Sequence, residues 1–594
     1  MKKIPLIVIF ATLITCLYFT VQNRWKGDNW KTTINADGYG YYAYLPCIFI
    51  YHGLDYKRAW KEEQKITPGA IGFTMELPHN KVLDKWFPGV ALLLVPFFLI
   101  AYLLSYLFGY SMGGYEFLFQ ASVSLGALFY LIAGLIFISK LLKKYNIPEF
   151  IIGFTLVLIV FGTNIFYYST MEPSMSHVYS FGLTAIFLFY TKKSIDEFRL
   201  KNLLPMVISI SILALIRPTN LLSLAFIPFL AGSSKNTVLF ITSFFKSKKT
   251  LLLLFIAASI LFIQFFLWYL QTGHFFIWSY SGEGFNFKTF HFFDILVSYR
   301  NGWYVYTPLM FIATLGGLIT LYRRNIFLFF SALFFFLLVT YVLSSWWAWW
   351  YGGAFGLRAF IDFYSIFALL LSIFLSSLTS LWNKVTITFI ACLCIGLNIF
   401  QTNQYINSIL PPDGMTQKKY WKIFLKNDSF YKYLFDYPDT SDFIFLNSPI
   451  FKNDFEQNTW GNNQDITNRY AHSGTHSAFI DEQNQFSPAL VLKASMIPQI
   501  SPLSIYVKLW TYMPDFKNNA TIIVSVKTEK GDSYFWKSSK LQSFVFDRNV
   551  WTQVYGLMNL PIFKNPSDKI SVYIYNTKSG VYIDDVEVMF GRPK

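Results

Sequence analysis

The sequence predicts an α-helical polytopic membrane domain followed by an all-β sandwich outside the membrane. Of the 594 residues, 54% are hydrophobic and only 14% are charged, whereas a soluble domain carries about 25% charged residues. The first 402 residues contain a long series of apolar segments, many near the roughly 20 residues that a helix needs to cross a bilayer. After residue 446, short runs alternate apolar and polar residues between turns, which is typical of an antiparallel sandwich.

The predicted membrane segments can be oriented by their charged flanks. They cover residues 4–21, 88–109, 116–139, 149–169, 174–191, 203–216, 219–232, 250–270, 303–321, 325–345, 359–380 and 385–402. Basic clusters at 140–144, 192–201, 246–249 and 323–324, together with Lys384, then all fall on one side, as expected for cytoplasmic loops.

The N-terminal end needs one segment that does not cross. Lys2 and Lys3 place the N-terminus in the cytoplasm and loop 22–87 outside it, so an odd number of crossings must separate that loop from the cytoplasmic Lys140. Two apolar segments intervene after the first one. We therefore expect segment 88–109, with Pro96 in its middle, to cross only partly, which leaves about eleven full crossings.

This topology divides the chain into three regions. A membrane domain spans 1–402 and includes a first extracytoplasmic loop at 22–87, a linker spans 403–445, and the β-sandwich spans 446–594. We expect a multi-pass protein of the bacterial cytoplasmic (inner) membrane, with a cytoplasmic N-terminus, an uncleaved first span and an extracytoplasmic C-terminal domain.

Composition also excludes some classes. The net charge of +16 comes largely from the loop clusters, so no nucleic-acid partner is expected. The four cysteines, Cys16, Cys47, Cys392 and Cys394, lie in or beside apolar segments, so the sequence gives neither a disulfide framework nor a zinc site.

The outer loops hold the candidate functional residues, because ionisable groups near membrane depth are costly. Asp37 follows the first span, where a carboxylate could act as a general base or could cap the next helix. Asp84 and Lys85 precede Pro88, and the lysine could bind a lipid phosphate or could simply anchor the span at the membrane surface.

Later outer loops add Glu172, His177 and Arg217. His177 could carry a proton or could be an ordinary loop histidine. Arg217 stands between two apolar halves and next to a proline, where a guanidinium suits a phosphate or a carboxylate.

The densest feature is an aromatic segment that ends in an arginine. It contains Trp346, Trp347, Trp349, Trp350 and Tyr351, followed by a Gly-Gly pair and Arg358. An interfacial aromatic belt explains part of it. The glycines and the arginine favour a pocket in which aromatic faces stack on a sugar.

The order of these features resembles the polytopic GT-C class of lipid-sugar-dependent glycosyltransferases. The nearest branch contains the protein mannosyltransferases and the bacterial aminoarabinose transferases. The shared order is one span, an outer loop opening with Asp37, the entry Lys85-Trp86-Phe87-Pro88, and later outer loops with Glu172, His177 and Arg217. The resemblance covers about residues 1–400.

The resemblance implies a reaction and a role for each residue. The donor would be a polyprenyl-phosphate sugar held in the bilayer, and the acceptor a hydroxyl of a glycan, lipid or protein. Asp37 would activate that hydroxyl, while Lys85, Arg217 and Arg358 would hold the donor phosphate. One base and direct displacement imply inversion at the anomeric carbon.

Two departures from the family pattern leave the use of a metal open. Asp84 holds the acidic place before the lysine, but Gly38 follows Asp37 where the family has a second acidic residue, and there is no Lys-Pro dipeptide. No cofactor is therefore certain, and a divalent cation remains an alternative.

The C-terminal domain resembles carbohydrate-binding jelly rolls. The resemblance rests on residues 471–477 (AHSGTHS) and on the final strand around Asp584 and Asp585. These two carboxylates could bind calcium or could close a turn. Such a domain would hold a glycan or cover the catalytic face.

Two other functions compete with sugar transfer. A lipid-linked glycan transporter would place charges along a midplane path in inverted halves, but the charges here cluster near the outer face and no internal repeat is found. A polysaccharide polymerase or ligase also uses a polyprenyl carrier. The large first loop and the C-terminal β-domain favour the transferase.

Overall fold

The chain folds into two compact units. The computed structural model describes residues 3–67, 74–76, 82–280, 282–428, 431, 443–447, 449–457, 460, 465–515, 517–545 and 548–593. The first unit contains residues 1–403 with 412–415, and the second contains 404–411 with 416–594. This division lies beside the predicted boundary at residue 402.

The first unit is almost entirely helical. Its helices are α1 (Ile4–Thr20), α2 (Asp37–Phe49), α3 (Tyr56–Ile66), α4 (Gly89–Phe108), α5 (Phe117–Lys144), α6 (Glu149–Phe161), α7 (Ile165–Thr170), α8 (His177–Asp196), α9 (Leu200–Ile216), α10 (Ile227–Ala231), α11 (Ser234–Lys246), α12 (Lys249–Thr272), α13 (Phe292–Val297), α14 (Trp303–Tyr306), α15 (Pro308–Arg324), α16 (Ile326–Ser344), α17 (Tyr364–Ser377) and α18 (Leu381–Ile406). Short 3-10 helices at Pro218–Phe226 and Arg358–Phe363 lead into α10 and α17.

The predicted membrane segments are all helical. In the described part of the chain, seven helices are long and apolar enough to cross a membrane, namely Ile4–Trp25, Gly89–Phe108, Phe117–Lys144, Lys249–Thr272, Ile326–Ser344, Arg358–Ser377 and Leu381–Ile406. Shorter apolar helices cover Glu149–Phe161, Leu200–Ile216 and Pro218–Ala231. The polytopic helical architecture is therefore confirmed.

Basic residues meet at one end of this bundle. Lys143 pairs with Glu149 at 2.9 Å, and Lys144 pairs with Asp196 at 3.0 Å. These contacts join the end of α5 to the start of α6 and the end of α8. The loops that the charge pattern assigns to the cytoplasm thus lie side by side.

Both ends of α4 are held by the first loop. Tyr44 Oη on α2 donates to Trp86 O, just before α4, at 2.6 Å. Tyr42 Oη on the same helix donates to Gly114 O, just after α4, also at 2.6 Å. The tyrosines of α2 thus fasten the chain on both sides of α4, whose 20 residues are long and apolar enough to cross a membrane. The partial crossing expected of segment 88–109 stays a prediction.

Four helices of the first unit, α2, α3, α11 and α13, fall outside the predicted apolar segments. In the first loop, the Asp55 side chain caps α3 by accepting a bond from Arg58 N at 3.0 Å. Ser233 caps α11 in the same way at Asn236 N. Because α3 and α11 are amphipathic and α2 is short and rich in tyrosine, a search for continuous apolar runs does not detect them.

The second unit is built mainly of β-strands. Besides α19 (Gln417–Ile423), it contains β3 (Phe443–Phe445), β4 (Phe451–Asn453), β5 (Ile466–Thr467), β6 (Ser477–Ile480), β7 (Leu490–Lys493), β8 (Ser504–Tyr512), β9 (Thr521–Lys527), β10 (Ser533–Lys540), β11 (Thr552–Asn559), β12 (Lys569–Tyr575) and β13 (Val581–Pro593); β1 (Thr74–Glu76) and β2 (Val82–Asp84) form a hairpin in the first unit.

The strands form two antiparallel sheets. One sheet has the order β10-β9-β12-β7 and the other β11-β8-β13-β6-β5, with β3 and β4 also paired to β13. Alternate residues of β8, such as Val507 and Leu509, are fully buried between the sheets while their neighbours face outward. The predicted sandwich is confirmed, and β3 extends it to just before residue 446.

Asp584 and Asp585 bind a loop of their own domain. Asp584 Oδ2 accepts a bond from His472 N at 2.7 Å, and Asp585 Oδ1 accepts one from Ser473 Oγ at 2.6 Å. His472 Nδ1 lies 2.6 Å from Asp585 Oδ2. These contacts tie residues 471–477 to β13, in line with the turn-closing interpretation.

The position of the loop after α4 can be tested by labelling. In a Cys392→Ser background, we expect Ser111→Cys to react with a membrane-impermeant maleimide on intact cells, because this exposed residue follows α4 beside the first loop. It should react like Asp28→Cys, whose side chain is 81% exposed in the first loop.

Lys201→Cys is the matched internal control, since it lies at the basic end of the bundle, and it should react only after permeabilisation. A Ser111→Cys variant that also required permeabilisation would place the end of α4 on the cytoplasmic side.

Candidate active site

Four of the residues singled out in the sequence line one cavity. Asp37, Lys85, Arg217 and Arg358 come from the first loop, the end of α9 and the segment before α17, and all face a cavity of about 850 Å³. The sequence places them far apart. The fold alone brings them together.

Asp37 and Arg358 form an ion pair in this cavity. Arg358 Nη2 donates to Asp37 Oδ2 at 2.8 Å, and the two side chains are only 10% and 14% exposed. Arg358 Nη1 faces the poor acceptor Met175 Sδ at 3.5 Å, and Arg358 Nε has no partner among the described residues. The guanidinium therefore keeps donors for a second anion.

The backbone before Asp37 is strained. Ala36 has a φ of 46°, a left-handed conformation that side chains other than glycine adopt rarely. Asp37 then occupies the first turn of α2, where it makes no capping bond of the kind considered from the sequence. Strain at the residue next to a buried carboxylate is a feature of functional sites.

A glycine at the start of α4 allows α9 to come close. A Cβ at Gly89 would lie 2.4 Å from Ile216 N and 2.7 Å from Leu215 O, both of them backbone atoms. Only glycine fits here. The contact sets α4, and with it the preceding Lys85, against the end of α9 where Arg217 follows.

Lys85 reaches a carboxylate that the sequence analysis did not identify. Its Nζ lies 2.5 Å from Glu283 Oε1, in the loop between α12 and α13. The ammonium also lies 4.9 Å and 5.1 Å from the ring centres of Trp86 and Tyr280, within the range of a cation–π contact. Ser279 Oγ donates to Lys85 O, so the loop is fastened to the lysine twice.

Arg217 has no carboxylate partner within salt-bridge distance in the described part of the chain. Its Nε donates to Tyr41 Oη at 3.2 Å, and the rest of the guanidinium faces the cavity. Of the three cations it is the one whose charge is not already taken by a direct ion pair.

His177 lies behind the cavity wall. It is fully buried, and its Nδ1 is 2.8 Å from Asp362 Oδ1. Asp362 itself lines the cavity, while His177 does not. The histidine therefore touches the site only through that carboxylate.

The aromatic segment contributes some of its rings to the cavity. Trp346, Trp347 and Tyr351 line it. Trp349 instead stacks on His291 with ring centres 5.5 Å apart. Trp350 lies under the Arg300 guanidinium at 3.5 Å. Three of the five predicted rings therefore line the cavity, and the other two do not.

A clamp holds Trp350, one of the two tryptophans that face away. Arg300 Nε and Nη2 donate to the two carboxylate oxygens of Asp413 at 2.7 Å and 3.0 Å. Trp350 Nε1 donates to Asp413 Oδ2 at 3.2 Å, and Ala354 N donates to Pro412 O at 3.0 Å. Residues 412–414 thereby fix the aromatic segment from behind.

Asp84 and Glu172 also lie away from the cavity lining. Asp84 is buried and its Oδ1 accepts from Trp86 N at 2.9 Å, so it shapes the turn before Lys85. Burial raises the pKa of Asp84 well above its usual range. Glu172 accepts from Tyr167 Oη at 2.9 Å, and burial raises its pKa too, against the opposing effect of Arg358.

The far side of the cavity is apolar and reaches the lipid-facing surface. It is lined by Ile210 and Ala214 of α9, Leu221 and Leu224 after Arg217, and Ala257, Leu261 and Phe265 of α12. Leu221 and Leu224 are each 42% exposed. The polar and apolar ends suit a ligand with a charged head and a hydrocarbon tail.

No metal cluster is found in the described ranges. No group of three or more His, Cys, Asp or Glu side chains there is arranged to hold a metal ion.

A double-mutant cycle tests the ion pair. Asp37→Asn and Arg358→Gln each leave a largely buried charge alone, so each should destabilise the protein while the double variant recovers part of the loss. We expect a coupling free energy of about 1–3 kcal/mol in unfolding measurements on detergent-solubilised protein.

The Lys144–Asp196 pair is the control, since its side chains are 36% and 31% exposed. Its coupling should stay below about 1 kcal/mol. Equal coupling in both pairs would contradict a special role for Asp37 and Arg358.

Gly89→Ala tests the close approach of α4 and α9. Because the new methyl group meets backbone atoms, we expect a loss of roughly 1–3 kcal/mol in the free energy of unfolding. Gly396→Ala on α18 is the matched control, since no atom lies within 4 Å of its Cβ position. An unchanged Gly89→Ala variant would show that the helices can separate at no cost.

Comparison with known proteins gives only distant similarities. No protein-family model matches the chain, and no curated protein matches it by sequence. Among solved structures, arabinosyltransferase EmbB from Mycobacterium smegmatis is similar over 79% of this chain and 57% of its own, with 10% identity and a TM-score of 0.29. The chain therefore spans little more than half of that protein.

Two xylanase modules are similar to the C-terminal β region. The CBM22-1 xylan-binding domain of Paenibacillus barcinonensis Xyn10C matches 27% of this chain and 92% of its own, with 12% identity and a TM-score of 0.16. The C-terminal family 22 carbohydrate-binding module of Clostridium thermocellum Xyn10B matches 26% and 96%, with 14% identity and a TM-score of 0.16.

Proposed function

We propose that this chain is a glycosyltransferase that moves a sugar from a polyprenyl-phosphate donor to a hydroxyl outside the cytoplasm, with inversion. One observation carries the proposal: Asp37 lines a single cavity together with three cations, and the opposite wall of that cavity is apolar. A lipid-phosphate sugar has the matching parts, namely a tail, an anionic phosphate and a polar sugar.

The donor fits the cavity in one orientation. Its hydrocarbon would lie along Leu221, Leu224 and Leu261, while its phosphate would meet the guanidinium of Arg217. Arg217 is suited to this task because no carboxylate of the described residues pairs with its charge and its planar fork matches phosphate oxygens. Lys85 lies on the same cavity and adds positive charge.

The sugar would then lie at the polar end. Trp346, Tyr351 and Tyr280 line the cavity there, and aromatic faces stack on the apolar faces of sugar rings. This places the anomeric carbon between the phosphate site and Asp37.

Asp37 would act as the base. The acceptor hydroxyl attacks the anomeric carbon, its proton passes to Asp37, and the bond from that carbon to the phosphate oxygen breaks. The polyprenyl phosphate leaves with the bonding electrons, and the cations stabilise its charge. One displacement inverts the configuration.

Arg358 links the two halves of this reaction. In the structure it binds Asp37, but it retains donors that make no strong hydrogen bond. When a donor phosphate enters, the guanidinium can turn toward it and release the carboxylate for the acceptor proton. Donor binding would thus prepare the base.

The test is a profile of lipid-linked sugars in a deletion strain. We expect one polyprenyl-phosphate sugar to accumulate and one sugar to be missing from a surface product. Wild-type protein should reverse both changes. Asp37→Asn should not, because loss of a general base lowers the rate by roughly 10²–10⁴.

Asp28→Asn is the matched control, because Asp28 lies in the same loop and is 81% exposed, away from the cavity. It should complement fully at equal membrane abundance. Full complementation by Asp37→Asn would rule out the base, and an unchanged lipid-sugar profile in the deletion strain would rule out the transferase.

A further inference from the structure

The apolar end of the cavity contains two polar side chains without partners. Gln264 on α12 is 3% exposed, and neither its amide oxygen nor its amide nitrogen has a hydrogen-bond partner in the described residues. Trp268, one turn later, is 6% exposed, and its indole N–H is likewise unpaired. Both residues line the cavity.

Their spacing puts both groups on one strip of α12. Residues four apart share a helix face, and the next residue on that face is Gln271. Gln271 Oε1 accepts from Asp84 N at 2.9 Å, directly before Lys85. The strip therefore runs from the lysine down into the apolar part of the cavity.

Buried amide and indole groups are costly when they are unpaired. Packing does not account for the polar atoms, since a methionine would fill the space of Gln264, and the rings of Phe87, Phe265 and Phe276 contact Trp268 without accepting its N–H. The cost is offset if a bound ligand supplies the missing partners. The ligand must then bring a polar group to a depth where most of the other lining residues are apolar.

We propose that the Gln264 amide and the Trp268 indole N–H donate hydrogen bonds to the phosphoryl oxygens of the lipid donor. The assignment rests on the proposed function, because it takes the ligand to be a polyprenyl phosphate. A hydrocarbon tail offers no acceptor, and the sugar belongs to the opposite end with Asp37. The phosphoryl group is the polar part that joins the two.

This arrangement fixes how deep the donor sits. Lys85 and Arg217 attract the phosphate by charge, but a charge acts over a distance and defines position poorly. Two N–H donors one helical turn apart hold oxygen atoms at a set depth on α12. Gln264 and Trp268 are therefore binding residues that set the position of the scissile bond relative to Asp37.

The experiment measures binding and stability together, in full-length protein in lipid nanodiscs. Gln264→Met keeps the volume and removes the donor. Trp268→Phe removes the donor but leaves a smaller ring, so the unfolding temperature is compared for Gln264→Met only. For each variant, the affinity for a long-chain polyprenyl phosphate is compared with that for the polyprenol lacking the phosphate. Thermal unfolding is recorded without ligand.

We expect weaker binding of the phosphate without a loss of stability. Each variant should bind the polyprenyl phosphate about tenfold more weakly, the factor for one hydrogen bond to a charged group. Affinity for the polyprenol should not change. The unfolding temperature of Gln264→Met without ligand should stay level or rise, because an unpaired buried group has been removed.

Trp382→Phe is the control, a tryptophan on α18 that is 79% exposed and far from the cavity lining. It should leave both affinities unchanged. A polyprenyl diphosphate, tested beside the monophosphate, shows which ester the site prefers. The variants should weaken the preferred one more.

Three outcomes would overturn the assignment. They are equal affinity of the variants and the wild type for the phosphate, an equal fall for phosphate and polyprenol, and a fall in the unfolding temperature of Gln264→Met that parallels the fall in affinity. If the wild-type protein itself binds neither ester better than the polyprenol, the donor in the proposed function fails as well. The two failures are therefore distinguishable.

Discussion

The ion pair between Asp37 and Arg358 is the contact on which the outer end of the helical unit depends. It joins the first loop to the segment before α17, two parts of the chain with most of the helices between them. Once α2 is held there, its tyrosines reach both ends of α4. Lys85 is then held from two sides. Its neighbour Trp86 is bonded to Tyr44 of α2, and Lys85 itself is bonded to Glu283 in the loop after α12.

Opposite charges in the cavity lower the energetic cost of placing its ionisable side chains beside hydrocarbon. Three cations and three carboxylates line the cavity, the carboxylates being Asp37, Glu283 and Asp362. Two of the cations are in direct ion pairs, while Arg217 has no carboxylate within salt-bridge distance among the described residues, and Asp362 lies 2.8 Å from His177 Nδ1. The site is therefore locally positive at Arg217. An anion entering from the lipid side meets that charge without displacing a partner.

The sequence predicted the architecture and four central site residues because both depend on strong signals. Long apolar segments define membrane helices. An ionisable residue such as Arg217 between two such segments is energetically costly, and it therefore points to a function. Side-chain direction is a different matter. Trp349 and Trp350 adjoin lining residues but point the other way, and neither spacing nor composition gives the backbone path that decides this.

Other site residues carried no signal at all. Glu283 lies in a long loop without periodicity, and only the fold brings it to Lys85. Gln264 is a single polar residue in an apolar helix, easily taken as incidental. What sets Gln264 apart is that its buried amide has no hydrogen-bond partner among the described residues, and only the structure reveals this.

The clamp of Arg300, Trp350 and Asp413 has a consequence for how the chain can be divided. The residues that grip the aromatic segment lie after the last membrane helix, at 412–415, and belong to the compact helical unit. A chimera that joins this helical unit to another C-terminal module should therefore be spliced after Met415. A junction at residue 403, where the apolar sequence ends, would discard the carboxylate that holds Trp350 and Arg300 behind the cavity-lining part of the aromatic segment.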